Sequence, residues 1–507
     1  MDQGGLVDPH SGKLLRGATL GSKGEKSWCW LQLAMMENPP YHSLRDPGFA
    51  YPTPAESLNN LFTLEGGMSP TLAPGRVDRD TIAERLTEAR ARTFHLVAPL
   101  TDDELRMQHD VLMSPILWDL GHIAHFEELW LTRNLDGPIE FVEMPGMFNP
   151  FEHPRAKRGA LPLPGLTECR AIMEGIRGRV LARLATVEFD DAVPLLRDGY
   201  VYDMVLQHEY QHNETMLQTL QLKLGRPYAP YAGFDLPRGP ASPRQRGAMV
   251  RFPGGTVTVG TDDRASAYDN ERPRHRVEVA AFRIDVDPVS NGDFLIFIGA
   301  GGYQTREYWS EAGWAWLQEA RVSAPKYWFL EEDRWMTRTM DRVGPVDPSH
   351  PVCHVCWHEA EAFARFAGKR LPSEIEWEVA ATWDPAAGAA RTYPWGEEPA
   401  GRHLANLDQL GFGTAPLGAY PRNVSPLGCA GMIGDVWEWT ASDFGPWPGF
   451  EAFPYPEYSQ VFFGSEYKVL RGGSWATRPG AIRGTFRNWD YPIRRQIFSG
   501  FRCARDD

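Results

Sequence analysis

Two histidines four residues apart lie in the stretch QHEYQHNE, residues 207–214. His208 and His212 flank Glu209 in the pattern H-E-x-x-H, which zinc metalloproteases use. On a helix, residues i and i+4 lie on one face, so both imidazoles can reach the same ion. The spacing predicts a metal site and leaves its remaining ligands to be found.

The sequence that follows this pair does not favour a protease. The thermolysin type takes a glutamate ligand from a later helix, but there is no Glu between Glu214 and Glu271. The metzincin pattern continues H-x-x-G-x-x-H, whereas this chain continues HNETMLQTL. Glu209 therefore need not act as a general base. It is left either to support the metal ligands from behind or to face solvent.

The elements that must position these histidines are helices. Apolar residues at three- and four-residue spacing over residues 78–225 predict a four-helix bundle. Thr93 interrupts the apolar face of the first helix, and Thr167 is predicted to cap the third. The loop between the second and third helices is long, and long loops in compact domains are often functional. The predicted helices are 78–98, 115–131, 167–184 and 200–224.

The second helix offers candidates for a third metal ligand. It carries His122 and His125 in the stretch LWDLGHIAHFEELW. Bundles build metal sites from side chains on facing helices, so either histidine is a possible ligand. Gly121 precedes His122, and we expect the backbone and the metal to approach each other there.

Composition excludes several classes of protein. The net charge of −14 argues against a general nucleic-acid binder, which needs a basic surface. Six cysteines in 507 residues are no disulfide framework. There is also no secretory signal and no long apolar span, so we expect a cytoplasmic monomer without membrane contact.

The chain is predicted to divide into four parts. Residues 1–70 have no sustained apolar period, which predicts a disordered extension or a true start at Met68. Residues 71–224 are the bundle, and the Pro/Gly-rich stretch 225–245 is a linker. Residues 246–507 have the short strands, turns and few helices of an α+β domain.

Both halves resemble known families. LGHIAHFEELWL together with QHEYQH resembles the DinB-like metal bundles, and that match implies His122, His208 and His212 as ligands, with His125 beside them. RFPGGTVTVGT, RLPSEIEWEVAA, YPWGEEP, GDVWEWTASDF, LRGGSWAT and GFRCARD resemble the formylglycine-generating-enzyme fold, a C-type-lectin-like α+β domain. We assign a packing or turn role to Trp377, Trp437, Trp439, Gly472 and Gly473.

The formylglycine oxidase activity itself is not favoured. That enzyme uses a cysteine pair close to its C-terminus, where this chain has Cys503 alone. Cys353 and Cys356 form a C-x-x-C pair, but they lie before a predicted helix in a different motif. One such pair without a second is weak evidence for zinc.

The combination of the two domains is similar to the sulfoxide synthases of ergothioneine biosynthesis, over about residues 70–507. The resemblance implies an Fe(II)- and O2-dependent oxidoreductase that joins a thiol to C2 of the imidazole of hercynine (Nα-trimethylhistidine). RNWDYPIRRQIFSGFR is close to the form that uses γ-glutamylcysteine and gives γ-glutamyl-hercynylcysteine S-oxide. Three alternatives remain: free cysteine as the thiol, a metal-dependent thiol S-transferase, and a binding module without chemistry.

The resemblance also implies roles for residues outside the metal set. Two groups bind the hercynine and thiol substrates, and a tyrosine donates a proton near the metal, for which Tyr455 is favoured over Tyr458. Without the family, the arginines of HPRAKRG would be assigned to a solvated basic surface. The implied substrate ligands are Gln211 and Asn488 for hercynine, and Asp490, Arg494, Arg155 and Arg158 for γ-glutamylcysteine.

Overall fold

A computed structural model describes residues 78–135, 146–231, 235–239 and 245–507. The predicted extension, with the alternative start at Met68, lies outside the described residues, as do parts of the predicted linker. The described chain has the predicted fold class, a helical bundle followed by an α+β domain. No described helix is long and apolar enough to cross a membrane.

The described N-terminal region is built from four long helices and one short helix. Leu86, Ala89 and Leu96 of the first helix are fully buried, as their spacing predicts. Thr93 on the same face is buried too, and its hydroxyl donates to the carboxylate of Glu209, 2.7 Å away. The interruption in the apolar pattern is therefore a specific polar contact. The helices are α1 (Arg79–Val97), α2 (Asp102–Arg106), α3 (Ile116–Glu128), α4 (Leu166–Leu184) and α5 (Tyr200–Leu222).

Two details of these helices differ from the predictions. The prediction that Thr167 caps α4 is wrong, because the helix begins at Leu166 and Gly165 occupies the N-cap position. Glycine tolerates this position well, and Thr167 falls inside the first turn. At its other end, α3 continues into a π-helical turn, Leu129–Arg133, which prolongs the helix past its regular part.

The second described region combines short strands with short helices. The helices of this region are α6 (Asn291–Gly299), α7 (Glu311–Ala320), α8 (Trp357–Phe366) and α9 (Glu374–Thr382). The strands are β1 (Met249–Phe252), β2 (Gly255–Val259), β3 (His275–Val279), β4 (Phe282–Asp285), β5 (Trp328–Glu331), β6 (Arg334–Thr339), β7 (Arg342–Pro345), β8 (Trp383–Asp384), β9 (Ala389–Ala390), β10 (Trp437–Phe444), β11 (Gly464–Arg471), β12 (Asn488–Asp490), β13 (Ser499–Gly500) and β14 (Ala504–Asp506).

The strands form two larger sheets and three hairpin sheets. One larger sheet has the strand order β12-β11-β10-β13, and the other has the order β1-β4-β14. The hairpin sheets are β2-β3, β5-β6-β7 and β8-β9.

Large aromatic side chains and tight turns hold this second region together, as predicted. Trp377 and Trp439 are fully buried core residues. Gly472 has φ +92°, and a Cβ there would lie 2.6 Å from the carbonyl oxygen of Met432. Only glycine fits such a turn without strain.

Helix α5 joins the two regions. Near its middle, the buried carboxylate of Glu214 accepts hydrogen bonds from Trp437 Nε1, Ser474 Oγ and Thr477 Oγ1, each at 2.7 Å. Close to its end, Gln221 Nε2 donates to the carbonyl oxygen of Arg338 at 2.8 Å. The helix that carries the H-E-x-x-H pattern therefore also fixes the α+β domain against the bundle.

Candidate metal centre and substrate cavities

Three buried histidines from two helices converge inside the bundle. His122 lies on α3, while His208 and His212 lie one turn apart on α5. One ligand nitrogen from each lies within 4.8 Å of the others, so a point within 2.8 Å (4.8 Å/√3) of all three exists. Within the described parts of the chain, this is the only group of three or more His, Cys, Asp or Glu side chains with metal-ligand spacing. His125, Cys353 and Cys356 do not join such a group.

One of these imidazoles is oriented by a hydrogen bond, and a second lies beside a carboxylate. His122 Nδ1 donates to the carbonyl oxygen of Phe148 at 2.9 Å, which leaves its Nε2 for a metal. His212 Nδ1 lies 3.3 Å from Asp119 Oδ1 without a hydrogen bond between them. The Nε2 atoms of His122 and His212 are buried and make no hydrogen bond to any described residue. Two buried nitrogen atoms with unmet hydrogen-bonding capacity suit a metal ion.

Burial keeps the imidazoles of His122 and His208 neutral. Phe126 stacks on His208 with ring centroids 3.8 Å apart, and Trp118 stacks on His122 at 4.8 Å. Desolvation, together with the neighbouring imidazole of His212, lowers the pKa of His122 and His208 well below the usual value. Because the neutral imidazole is the form that binds metal, these residues fit a divalent first-row ion.

Gly121 does not have the role expected from the sequence. A Cβ at this position would lie 2.1 Å from the ring of Phe148, so the space beside the glycine is filled by that ring. The expectation that backbone and metal meet there is wrong. The close packing instead brings Phe148 to α3, where its carbonyl group accepts the hydrogen bond from His122.

Glu209 turns away from the histidines into a buried ionic cluster. Its carboxylate accepts from Arg90 Nε at 2.9 Å and Arg177 Nη2 at 3.1 Å, and both arginines also bind Glu127. Burial alone would raise the pKa of Glu209, but the two guanidinium groups lower it to about 2. Of the two alternatives, the solvent-facing position is wrong, because the side chain is fully buried.

A small cavity beside His212, here named the arginine cavity, brings predicted residues together. Arg155 and Arg158 come from a 3₁₀ turn in the long loop, and both are buried, which contradicts a solvated basic surface. Arg158 Nη1 donates to Ser114 Oγ at 2.7 Å, and its guanidinium lies 3.6 Å from the Trp118 ring centroid. The cavity is lined by Trp118, Asp119, Arg155, Arg158, Gln211, His212 and Thr215.

The predicted thiol ligands of the two domains meet at one carbonyl group. Arg155 Nη1 and Arg494 Nη1 donate to the carbonyl oxygen of Leu112, at 3.1 and 3.3 Å. Arg494 Nε in turn lies 3.3 Å from Asp490 Oδ1. Asp490 and Arg494 are almost completely buried. The structure thus links Arg155 on the bundle side to Asp490 and Arg494 on the α+β side.

A second cavity, here named the aromatic cavity, shares the lining residues Gln211 and Thr215 with the first. The predicted pair Gln211 and Asn488 both line it. Burial raises the pKa of Glu214, a further lining residue, although its three donors act in the opposite direction. Trp437 also lines the cavity, in addition to its predicted packing role in the buried core. The other lining residues are Tyr210, Thr215, Gln218, Thr477, Arg478, Ala481 and Phe486.

The two tyrosines of FEAFPYPEYSQ occupy different surroundings. Tyr455 is buried and stacks on Trp130, with ring centroids 4.9 Å apart. Tyr458 stacks on Tyr268 at 4.1 Å, and its hydroxyl lies within hydrogen-bonding reach of Gln211. Burial raises the pKa of Tyr458 well above its usual value, so that hydroxyl stays protonated.

Sequence reasoning missed several residues of this site. Asp119 lies three positions before His122, on the same helix face, so an acidic residue supporting a metal ligand could have been predicted there. Glu214 lies two residues after His212, but its donors come from the other domain. No local pattern in the sequence announces such contacts.

Comparison with known proteins matches both domains. Residues 85–216 match the DinB superfamily, and residues 237–507 match the sulfatase-modifying factor enzyme 1-like domain. The formylglycine-generating enzyme of Thermomonospora curvata is 35% identical over 311 residues, covering 55% of this chain and 99% of that protein. Among solved structures, PvdO from Pseudomonas aeruginosa is 25% identical with a TM-score of 0.36, over 51% of this chain and 94% of that one.

Other relatives match across both domains. The hercynine oxygenase of Mycolicibacterium thermoresistibile is 46% identical over 442 residues, covering 84% of this chain and 95% of that protein. The hercynine oxygenase of Mycobacterium tuberculosis is 47% identical over 433 residues, covering 84% of this chain and 99% of that protein.

Proposed function

Because the chain belongs to the hercynine oxygenase family, we propose that it joins γ-glutamylcysteine to C2 of the hercynine imidazole. One O2 takes up four electrons: two from forming the C–S bond and two from oxidising the sulfur. One oxygen atom enters the sulfoxide and the other leaves as water with the thiol and C2 hydrogens, so no further reductant is needed. The observation that carries this proposal is the three-histidine cluster flanked by two cavities that share Gln211.

We propose Fe(II) as the metal and His122, His208 and His212 as its ligands. Three neutral imidazoles leave the ion its full positive charge and leave coordination positions open for other molecules. Iron bound there would supply dioxygen activation and would lower the pKa of a thiol. The orphaned, buried nitrogen atoms of His122 and His212 support this assignment.

We assign hercynine to the aromatic cavity. Its trimethylammonium group calls for aromatic faces and an acidic side chain, which Trp437, Phe486 and Glu214 offer. Gln211 and Asn488 would orient the imidazole and the carboxylate through their amide groups. Gln211 also lines the arginine cavity together with His212, which supports a position of the substrate ring near the metal centre.

We assign γ-glutamylcysteine to the arginine cavity. Arg155 and Arg158 would bind its glutamyl carboxylate, a task that suits the guanidinium group. Asp490 and Arg494 would bind the part of the substrate that free cysteine shares. The burial of all four side chains supports binding over a surface role, because charged groups are seldom buried without a purpose.

We propose Tyr455 as the residue that holds a proton near the reacting sulfur. Its ring is linked to the metal site through Trp130 and Phe126, which lies against His208. A buried phenol retains its proton at neutral pH and can donate it.

Five described cysteines are free thiols, which supports a reducing, cytoplasmic location.

An aerobic assay tests this function. The protein is reconstituted with Fe(II) or Zn(II) and given hercynine with either γ-glutamylcysteine or cysteine, and product mass and oxygen consumption are measured. We expect the γ-glutamyl sulfoxide with Fe(II) only, with one O2 consumed per product. A thioether formed with Zn(II) and without oxygen use, with trimethylamine released as the leaving group, would instead identify an S-transferase. Equal turnover of cysteine would contradict the assigned thiol.

A further inference from the structure

The segment that carries Tyr455 and Tyr458 is held at both ends by one carboxylate. Asp269 Oδ2 accepts from the backbone N–H of Phe453, 3.2 Å away. Asp269 Oδ1 accepts from the hydroxyl of Ser459. Phe453 lies two residues before Tyr455, and Ser459 directly follows Tyr458, so a single side chain determines where this segment begins and ends.

A neighbouring amide reinforces the second bond. Asn270 Nδ2 donates to Ser459 Oγ at 2.9 Å, while Ser459 Oγ donates to Asp269. The three side chains are fully buried. The 3₁₀ turn Asp269–Glu271 is anchored in turn, because Glu271 forms a buried ion pair with Arg483. The carboxylate therefore projects from a rigid support, which is what accurate positioning requires.

The same turn also contributes to the hercynine side of the site. Tyr268, next to Asp269, stacks on Tyr458 and accepts a hydrogen bond from Gln211 Nε2 at 3.3 Å. A shift of Asp269 would move the tyrosine segment relative to Gln211 and to the metal ligand that follows it. Burial raises the pKa of Asp269 to about 7, although its hydrogen-bond donors act to lower it. The site thus holds a carboxyl group in an unfavourable environment, where hydrophobic packing alone would cost less.

We propose that Asp269, acting through Ser459 and the Phe453 backbone, is a positioning residue that holds Tyr455 and Tyr458 beside the metal centre. Asp269 does not touch substrate in this arrangement. It acts by restricting the tyrosine segment to one position. The proposal rests on the proposed function, since it assumes that a tyrosine of this segment takes part in the reaction.

Two variants remove the contact from opposite sides. Ser459→Ala deletes the hydroxyl, and Asp269→Asn keeps the size of the side chain but replaces one acceptor with a donor. Ser290→Ala is the matched control, because Ser290 Oγ also donates to a carboxylate, that of Asp293, at 2.6 Å in the same domain. Ser290 lies outside both substrate cavities.

Activity is measured first. Asp269→Asn and Ser459→Ala should both retain iron and keep KM for both substrates within about twofold. Their kcat should fall roughly ten- to a hundredfold, since small misplacements of a reacting group have effects of this size. More oxygen should be consumed per sulfoxide formed. Ser290→Ala should match the wild type. An unchanged kcat in these two variants, or an equal loss of kcat in Ser290→Ala, would overturn the proposal.

Amide hydrogen exchange provides a readout that does not depend on turnover. Peptides covering 453–459 should exchange about tenfold faster or more in Ser459→Ala than in the wild type, with the bundle helices unchanged. If the wild type made no sulfoxide, the proposed function would fail, yet the exchange data would still decide whether Asp269 fixes the segment. Unchanged exchange in that segment would reject the positioning role.

Discussion

Helix α5 has two faces that bury polar groups in opposite ways. On the metal face, burial lowers the pKa of His208 well below its usual value, and the Nε2 atom of His212 makes no hydrogen bond to any described residue. On the ionic face, one residue further along the helix, Glu209 is fully charged and surrounded by guanidinium groups. Adjacent positions of one helix thus have opposite electrostatic environments.

The two faces of α5 differ in how their buried polar groups are balanced. The ionic face contains two arginines and two glutamates, Arg90, Arg177, Glu127 and Glu209, so its charges cancel internally. The metal face instead offers imidazole nitrogen atoms whose bonding capacity a bound cation would meet. A residue on the first face should therefore matter for stability, and a residue on the second for metal binding and turnover. Four experiments examine this division.

The largest effect is expected on the metal face. His208→Ala or His122→Ala should abolish iron binding and reduce sulfoxide formation to background, because a three-ligand site that loses one ligand holds the metal poorly. Metal analysis and circular dichroism should show an empty but folded bundle. His125→Ala is the control, as it changes a histidine of the same helix that lies outside the cluster. Full iron content in His208→Ala would refute the ligand assignment.

The ionic face should respond in the reverse manner. Glu209→Ala leaves two buried arginines with only the carboxylate of Glu127 between them and should destabilise the protein by about 3–5 kcal/mol. Denaturant unfolding measures the loss. Iron-loaded molecules that remain folded should turn over within a few-fold of wild type.

An exposed ion pair supplies the control for this experiment. Glu174→Ala removes the partner of Arg170 on α4, where both side chains are largely exposed, and should cost no more than about 0.5 kcal/mol. If Glu209→Ala were as stable as Glu174→Ala but inactive with iron bound, the division between the two faces would be wrong.

A smaller effect is expected at Asp119, whose carboxylate lies beside His212 of the metal face. Asp119→Asn keeps the shape beside His212 but removes the negative charge that faces Nδ1. Changes to residues that orient metal ligands typically weaken binding about ten- to a hundredfold. Titration with Fe(II) under anaerobic conditions measures this affinity. An unchanged affinity would show that His212 is oriented by packing alone.

The narrowest effect is expected at the arginine cavity, where it is confined to one substrate. Arg155→Ala or Arg158→Ala should raise KM for γ-glutamylcysteine about tenfold to a hundredfold, the value of one charge-assisted hydrogen bond. Any activity with free cysteine should hardly change, whereas Asp490→Ala should weaken both thiols. Lys157→Ala, an exposed residue in the same turn, is the control. Arginine variants that match Lys157→Ala would exclude the cavity as the thiol site.

The sequence allowed much of the bundle to be predicted because helices leave a local signal. Spacing placed α1 and α5 to within a few residues, and the i, i+4 histidines follow from helix geometry alone. Thr93 was noticed as an interruption, but its partner Glu209 is 116 residues away. The cap of α4 was missed because Ser or Thr preference is statistical and glycine also fits.

The site was harder to predict where it depends on contacts between domains. The burial of Arg155 and Arg158 could not be derived from their own loop, since a basic loop is ordinarily solvated. The second role of Trp437 depends on Glu214 of the other domain. Asp269 carries no motif at all, because its partners Phe453 and Ser459 lie more than 180 residues further along the chain.

The carbonyl group of Leu112, which receives Arg155 from one domain and Arg494 from the other, has an evolutionary consequence. A main-chain oxygen is present whatever residue occupies the position, and the Leu112 side chain is 37% exposed. Related proteins can therefore carry another side chain at this position and keep the contact between the two domains. Comparisons of related sequences record which side chains are retained, so they would pass over a main-chain atom that both halves of the proposed thiol site contact. Only a structure shows a contact that depends on a main-chain atom.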